Sequence, residues 1–394
     1  MAKMAQNSYR TRPAHIAFVS IPAHGHVNPG LGLVTELVSR GHRVSYATTD
    51  DFAAQVAEAG AIPVRYTSLL PGPSAATQEW PDEEVAAQMM FLAETKAVLP
   101  QLERAYAADR PDLIVYDVAA FPALVLAEKW RLPCIQLSPT HVYADGIEEA
   151  FDIELTPEKV AVRARYDEYF AQQGVELTFH DVAVPRRCIV TIPRTFQYSG
   201  DRAADSFTFV GPMLTERALQ GDWQAPDSRP VLVISLGSAY NERLAFYRKC
   251  LRAFADLDWH VVMSVGQSVD PAELGEIPSN FEVRQWIPQL RVLSQASAFI
   301  THAGMGGTME GLYHEVPLIA VPQAAEQFLN AARIEELGLG VQVDGETVTP
   351  EQLRAALQKV STDERIRLRL KEMRQEIRES GGLRRAVEIL EALL

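Results

Sequence analysis

The feature that most constrains the fold is a strand–loop–helix–strand pattern that occurs once in each half of the chain. In the first copy an apolar strand over 15–21 leads through a glycine-containing loop and a helix to a second strand over 43–48. The second copy has strands over 231–235 and 260–265, joined through a helix over 244–255. Continuous apolar strands connected by helices are typical of parallel sheets covered on both faces. Because 394 residues exceed the usual size of one core, the pattern predicts two doubly wound α/β domains.

A polar stretch over 214–229, without helical or strand periodicity, predicts the domain boundary. We therefore expect an N-terminal domain over 1–215 and a C-terminal domain over 228–375. The remaining segment, 376–394, is predicted to be a helix that packs back across the junction and braces the two domains. Its apolar residues recur at helical spacing and share one face: Leu383, Val387, Leu390 and Leu394.

The net charge argues against several classes of partner, and the cysteines and apolar runs indicate the compartment. The formal net charge of −14 argues against nucleic acid and anionic membranes, although backbone donors can still bind a phosphate in an acidic protein. Cys134, Cys188 and Cys250 are far apart and lack CxxC spacing, which is typical of reduced thiols. The first twelve residues are polar, and no apolar run is long enough to cross a membrane. We expect a cytoplasmic protein.

Two histidines follow the first predicted strand. The loop over 22–29 reads PAHGHVNP, and a helix is predicted to begin near Gly30, so His24 and His26 lie at the carboxyl end of a parallel strand. An imidazole there can accept a proton from an alcohol at neutral pH. The alternative is that a loop histidine forms only local hydrogen bonds. Periodicity alone does not choose between His24 and His26.

A carboxylate follows another strand of the same predicted sheet. Asp117 comes directly after the apolar run over 113–116. At that edge it could hydrogen-bond a base histidine, fix its tautomer and stabilise the imidazolium. The alternative interpretation is an ordinary helix N-cap, a position that aspartate favours.

The most specific motif lies in the C-terminal half. Residues 285–289 read QWIPQ, and 299–310 read FITHAGMGGTME. The second segment predicts a strand, a glycine-rich turn and a helix start, where free N–H groups and the helix dipole favour a phosphate. His302 could add a donor, Glu310 could accept from ribose hydroxyls, and Trp286 offers a flat face to a base. The turn lacks the spacing of a P-loop or a dinucleotide fingerprint, which argues against a kinase or a dehydrogenase.

These motifs carry a family resemblance. The segment from Trp286 to Gln327 resembles the donor-binding signature of the UDP-glycosyltransferases, with WxPQ, HxGxxxxxE, Pro322 and the pair Glu326-Gln327. The whole chain, including the histidine loop and the SLGS segment over 235–238, is similar to the actinobacterial macrolide glycosyltransferase branch. The resemblance implies the GT-B architecture, in which the first domain binds the acceptor and the second binds the UDP-sugar across a cleft.

The resemblance also implies roles for individual residues. His26 matches the family's catalytic base and Asp117 its carboxylate partner. Gly306 and Gly307 stand where plant members carry Asn and Ser, so phosphate binding here would depend on backbone N–H groups and on Thr308. The positions implied for the donor, from uracil through ribose and diphosphate to the sugar hydroxyls, are Trp286, Ile287, Gln289, Glu310, Ser238, His302, Gly304, Gly306, Gly307, Thr308, Glu326 and Gln327.

The acceptor is predicted less directly. Segments 68–95 and 138–182 lie between strands of the first domain, and loops of that length often shape binding sites. Methionines and aromatic residues there would give an adaptable apolar surface, although each could instead fill the core. The candidates are Trp80, Met89, Met90, Phe91, Tyr143 and Phe179.

Together these features predict an inverting glycosyltransferase that moves glucose from UDP-glucose to a hydroxyl of a macrolide and thereby inactivates it. The Asp256–Asp258 segment precedes a strand and is interpreted as a solvated turn, so we expect no metal site and no cofactor besides the donor. Alternatives are a permissive flavonoid or polyphenol glucosyltransferase, a UDP-sugar epimerase and a non-catalytic UDP-sugar-binding protein. The His26–Asp117 pair favours an enzyme, and the complete donor signature beside the histidine loop favours transfer over epimerisation.

Overall fold

The computed structural model contains two units, each built on one parallel sheet. It describes residues 13–72, 80–81, 83–145, 155–214, 221–237, 241–324 and 326–394. No helix in these ranges is long and apolar enough to cross a membrane.

The first sheet has seven strands in the order β3-β2-β1-β4-β5-β6-β7, all parallel. The strand order reverses between β1 and β4, which lie side by side, and ligand sites of doubly wound sheets form at such a switch point. The strands are β1 His15–Val19, β2 Arg43–Thr48, β3 Ile62–Arg65, β4 Leu113–Asp117, β5 Cys134–Ser138, β6 Cys188–Val190 and β7 Phe207–Phe209.

Helices cover both faces of this sheet. They are α1 His24–Ser39, α2 Asp50–Glu58, α3 Glu84–Tyr106, α4 Phe121–Trp130, α5 Pro157–Gln172 and α6 Phe179–Ala183. Consecutive residues of β1 enter different cores: Ala17 and Val19 join one cluster, while Ile16 and Phe18 join the other. This alternation is the reason that the strand is apolar throughout, as predicted for a sheet buried on both faces.

The second sheet repeats the design with six parallel strands in the order β10-β9-β8-β11-β12-β13. Its switch point lies between β8 and β11. The strands are β8 Val231–Ser235, β9 His260–Ser264, β10 Phe281–Arg284, β11 Ala298–Thr301, β12 Leu318–Ala320 and β13 Gly340–Gln342. The helices are α7 Leu244–Phe254, α8 Gln289–Leu293, α9 Met305–Tyr313, α10 Glu326–Glu336, α11 Pro350–Thr362, α12 Glu364–Glu379 and α13 Gly382–Glu391.

The end of the chain differs in detail from the single helix expected over 376–394. Helix α12 runs to Glu379, and Gly381 and Gly382, both with positive φ, turn the chain before α13 begins. Helix α13 then packs on the first unit, where it contacts α1, and the Gly382 N–H donates to the Val210 carbonyl at 2.8 Å. Of the predicted apolar face, Val387 and Leu390 are buried in the first unit's core. Leu383 is partly buried against it, and Leu394 is exposed.

Helix α1 also begins earlier than the sequence suggested, at His24 rather than near Gly30. Pro29 therefore lies inside the helix, where its missing N–H costs a single backbone hydrogen bond. His26 stands in the first helical turn directly after β1, so its backbone is fixed by regular structure.

Candidate active site

The switch point of the first sheet brings together a histidine and a carboxylate that are distant in sequence. His26 follows β1 and Asp117 ends β4, the strand beside it. His26 Nδ1 lies 2.8 Å from Asp117 Oδ2. Asp117 is 4% exposed, and its other oxygen accepts the Ala119 N–H at 3.0 Å. The N-cap of α4 is Ala120, so Asp117 orients His26 and closes a turn but does not cap the helix.

This pairing sets the proton affinity of the histidine. Burial alone would lower the pKa of His26, but the charge and the hydrogen bond of Asp117, together with the charge of Glu326, raise it above the ordinary value. If Nδ1–H donates to Asp117, the lone pair is on Nε2. The side chain remains 27% exposed, so a small molecule can reach it. The arrangement can accept a proton from a hydroxyl and stabilise the resulting charge.

The neighbouring histidine has a different environment. The ring of His24 meets Phe52 edge-on at 4.9 Å, and burial lowers its pKa. Sequence periodicity left His24 and His26 as equal candidates for a base. The structure pairs the carboxylate with His26.

The turn from β11 into α9 holds another histidine, His302, whose ring nitrogen Nδ1 is buried. A Cβ at either Gly237 or Gly304 would overlap its ring, so these glycines make room for the histidine. Burial lowers the pKa of His302 to about 4, which keeps it neutral near pH 7. Gly306, in contrast, has open space where a side chain would be, at the amino end of α9. The backbone N–H groups of that end are suited to an anion.

Other predicted donor residues lie around this turn. A Cβ added at Gly307 would lie at ordinary contact distance from the side chains of Thr301 and Gln289. Thr308 is buried, and its hydroxyl has no hydrogen-bond partner among the described residues. Ser238, predicted for the same site, lies outside the described residues.

A polar pair and an exposed indole stand beside the turn. Gln289 Nε2 donates to Glu310 Oε2 at 2.6 Å. Burial raises the pKa of Glu310 to about 7, against the opposing effect of that hydrogen bond. Trp286 is 58% exposed, which is high for a large aromatic side chain, whereas the adjacent Ile287 is buried. The indole of Trp286 is therefore accessible to a ligand, while the buried Ile287 beside it packs in the core.

The start of α10 joins the two halves of the site. Glu326 is exposed, and its charge reaches His26 strongly enough to help raise the pKa of that histidine. Gln327 is buried and accepts the Gln323 N–H at 3.0 Å through Oε1. Helix α1 also contacts α9. The predicted base and the predicted donor residues thus border one region.

Three aromatic rings of the first unit lie in a row from Trp80 through Phe91 to Phe121. Ring centroids lie 6.0 Å apart for Trp80 and Phe91, and 6.0 Å apart for Phe91 and Phe121. Phe121 begins α4, shortly after Asp117. Sequence reasoning missed Phe121, although its place after the Asp117 turn was a usable signal.

The other acceptor candidates are placed less uniformly. Met89 and Phe179 pack against the core of the first unit, and Phe179 meets the buried ring of Tyr166 at 5.2 Å. Met90 and Tyr143 are half-buried. Among the described residues no cluster of three or more His, Cys, Asp or Glu side chains could hold a metal ion.

Known proteins share both sequence and fold with this chain. Residues 248–393 match the family model of the erythromycin biosynthesis protein CIII-like C-terminal domain. Oleandomycin glycosyltransferase of Streptomyces antibioticus is 43% identical over 397 residues, spanning 98% of this chain and 92% of that protein. The NDP-glycosyltransferase YjiC of Bacillus licheniformis is 41% identical over 96% of this chain and 98% of that protein. The glycotransferase of kitacinnamycin superposes with a TM-score of 0.88 at 43% identity, covering 98% of this chain and all of that one.

The two parallel-sheet units, together with these relatives, show a glycosyltransferase of the GT-B architecture. The two-domain α/β fold expected from the sequence is thereby confirmed. With relatives this similar along almost its whole length, the chain belongs to the UDP-glycosyltransferase superfamily, in its actinobacterial macrolide glycosyltransferase branch.

Proposed function

We propose that the protein transfers glucose from UDP-glucose to a hydroxyl of a macrolide, with inversion at the anomeric carbon and without a metal ion. The observation that carries the proposal is the 2.8 Å contact of His26 with Asp117 at the switch point of the first sheet. Glu326 of the second unit stands close enough to influence the same histidine.

The reaction is a single displacement. His26 Nε2 takes the proton of the acceptor hydroxyl while its oxygen forms a bond to the anomeric carbon. The bond from that carbon to the diphosphate oxygen breaks, and UDP leaves with the electron pair. Asp117 stabilises the imidazolium that results. Because attack and departure occur on opposite faces of one carbon, its configuration inverts.

The base, ribose, diphosphate and sugar of the donor are each held by a separate group of residues in the second unit. Trp286 stacks on uracil, and the backbone of Ile287 meets the edge of that base. Gln289 and Glu310 hold the ribose. The departing charge lies at the amino end of α9, whose N–H groups stabilise it without movement. The diphosphate is surrounded by Ser238, His302, Gly304, Gly306, Gly307 and Thr308, and the sugar hydroxyls by Glu326 and Gln327.

The proposed acceptor comes from the relatives. The oleandomycin glycosyltransferase and the demethyllactenocin mycarosyltransferase of Streptomyces fradiae are 43% and 36% identical to this chain. A macrolide hydroxyl is therefore the first acceptor to test, and its glucosylation would inactivate the antibiotic. The rings of Trp80, Phe91 and Phe121 favour a flat polyphenol as a second candidate, since aromatic faces pack well on aromatic acceptors.

The test is mass spectrometry of reactions with UDP-glucose and a mixed panel of macrolides and flavonoids, in chelator-treated buffer. A macrolide product heavier by one hexose residue is expected, and NMR of its anomeric proton should show the β-linkage that inversion of an α-linked donor produces. The same panel with dTDP-glucose tests the nucleotide. Release of UDP with an altered sugar and no glycosylated product would instead show epimerase chemistry, and binding without turnover would show a sensor.

A further inference from the structure

Two buried asparagines hold the backbone on either side of His302. Asn330 of α10 donates from Nδ2 to the Ala303 carbonyl at 2.9 Å. Asn241 donates from Nδ2 to the Gly237 carbonyl, also at 2.9 Å. Both asparagines are buried. Each therefore satisfies a carbonyl in one of the two turns that enclose the histidine ring.

The two bonded carbonyls belong to residues with an unusual backbone. Gly237 has a φ of 80° and Ala303 a φ of 61°. For alanine this left-handed conformation costs free energy, so it persists only where the surroundings stabilise it. The hydrogen bond from Asn330 is such a constraint, because removing it would leave the Ala303 carbonyl buried and unpaired.

The histidine depends on these turns because no described side chain bonds its buried ring nitrogen. His302 Nδ1 is buried, and the polar contact of the ring is with the backbone of Ser235, at the end of β8. The ring is held by the backbones of Gly237 and Gly304, which approach it so closely that neither position has room for a Cβ. Any shift of either turn would therefore move the ring, and a shift of 303–304 would also move the start of α9.

We propose that Asn330 and Asn241 are positioning residues for the donor diphosphate: they fix the two turns that aim His302 and the amino end of α9 at it. The inference rests on the proposed function, since it requires that this turn bind the diphosphate. Neither asparagine needs to touch the ligand.

A third asparagine provides a matched control. Asn280 is also buried in the second unit, and its Nδ2 donates to the carbonyls of Phe254 and Trp259 at 3.0 and 3.1 Å. It precedes β10, at the opposite end of the sheet from the turn that holds His302. Asn280→Ala removes the same kind of hydrogen bond from the same unit without touching the proposed site.

The experiment compares full-length wild type with Asn330→Ala, Asn241→Ala and Asn280→Ala. Calorimetric titration with UDP gives the Kd, thermal unfolding gives the Tm, and initial rates give the KM of each substrate. We expect all three variants to lower the Tm. Only Asn330→Ala and Asn241→Ala should raise the Kd of UDP and the KM of UDP-glucose, by on the order of tenfold each, with the acceptor KM unchanged.

An equal loss of UDP affinity in all three variants would show a general effect of stability and overturn the inference. Wild-type affinity in both Asn330→Ala and Asn241→Ala would overturn it as well. If an alanine variant does not fold, Asn330→Ser and Asn241→Ser retain a short donor and should give a smaller rise in Kd in the same direction. Failure of the wild type to bind UDP would instead contradict the proposed donor site itself, so the two failures are distinguishable.

Discussion

Each sheet has a histidine at its switch point, and the surroundings of these two histidines shift their pKa values in opposite directions. After β1, His26 receives a carboxylate from the neighbouring strand β4, and its pKa is raised. After β11, the backbone of Gly237, from the turn that follows the neighbouring strand β8, lies against the ring of His302. Burial lowers the pKa of His302 to about 4. Equivalent topology thus produces a histidine with a raised pKa in one unit and one with a lowered pKa in the other.

The difference teaches that a histidine at a strand end does not define its own role. The pKa of the histidine depends on the residue at the end of the adjacent strand, because parallel strands bring their carboxyl ends to one edge of the sheet. A carboxylate at that position raises the pKa of the imidazole, whereas a glycine allows the backbone to approach the ring closely. We expect substitutions in the two turns to separate chemistry from donor binding.

The largest effect should follow His26→Ala. Loss of a positioned general base typically costs about 10²–10⁴-fold in rate, so kcat should fall in that range. The Kd of UDP should stay at the wild-type value because His26 does not meet the proposed nucleotide site. Initial rates and calorimetric titration with UDP provide the two measurements.

His24→Ala is the matched control, since His24 shares the turn but contacts Phe52 instead of Asp117. It should retain a kcat close to that of the wild type. Equal losses in the two variants, or a wild-type rate in His26→Ala, would remove His26 from the role of base.

Asp117→Asn should have the next largest effect and should change the pH profile. A histidine base works when neutral, so kcat/KM should rise with pH through the pKa of His26, which Asp117 and Glu326 hold above 6.5. Without the Asp117 charge that inflection should move to lower pH. The rate at its plateau should fall by about 10–100-fold, as when the carboxylates behind metal-bound histidines are removed.

The control for this prediction is Glu326→Gln, which removes the more distant charge that raises the same pKa. Its inflection should move in the same direction by less. An inflection that stays in place in Asp117→Asn would mean that another group controls the profile.

Much of the fold could be predicted because strands buried on both faces leave a strong signal in the sequence. The strands over 43–48 and 231–235 have the bounds that the apolar runs indicated. The beginning of α1 could not be found this way, because Gly25 and Pro29 are typical of loops and only the packed helix shows that they are tolerated.

The candidate site was predictable where a residue follows a strand and less so where a contact depends on tertiary packing. His26 and Asp117 are distant in sequence, yet both follow strands of the same sheet, so their proximity could be expected. Gly304 is expected from the sequence only as a donor-binding position, and the structure shows in addition that its missing side chain accommodates His302. Asn241 and Asn330 gave no signal, since a buried asparagine is recognisable only from the carbonyl that it bonds.

The smallest predicted effect compares two glycines in equivalent positions. Gly25 and Gly306 are each the second residue of the helix that follows a switch-point turn, and each has open space where a Cβ would be. Replacing a helical glycine with alanine stabilises a fold by up to about 1 kcal/mol where the site is open. Gly25→Ala and Gly306→Ala should therefore both raise the Tm slightly. Only Gly306→Ala should weaken UDP binding, by about fivefold, because a methyl group at the amino end of α9 would hinder one N–H contact to the diphosphate. Similar Kd values in the two variants would show that the open space at Gly306 is not where the phosphates lie, and the anion site would then have to be sought elsewhere around His302.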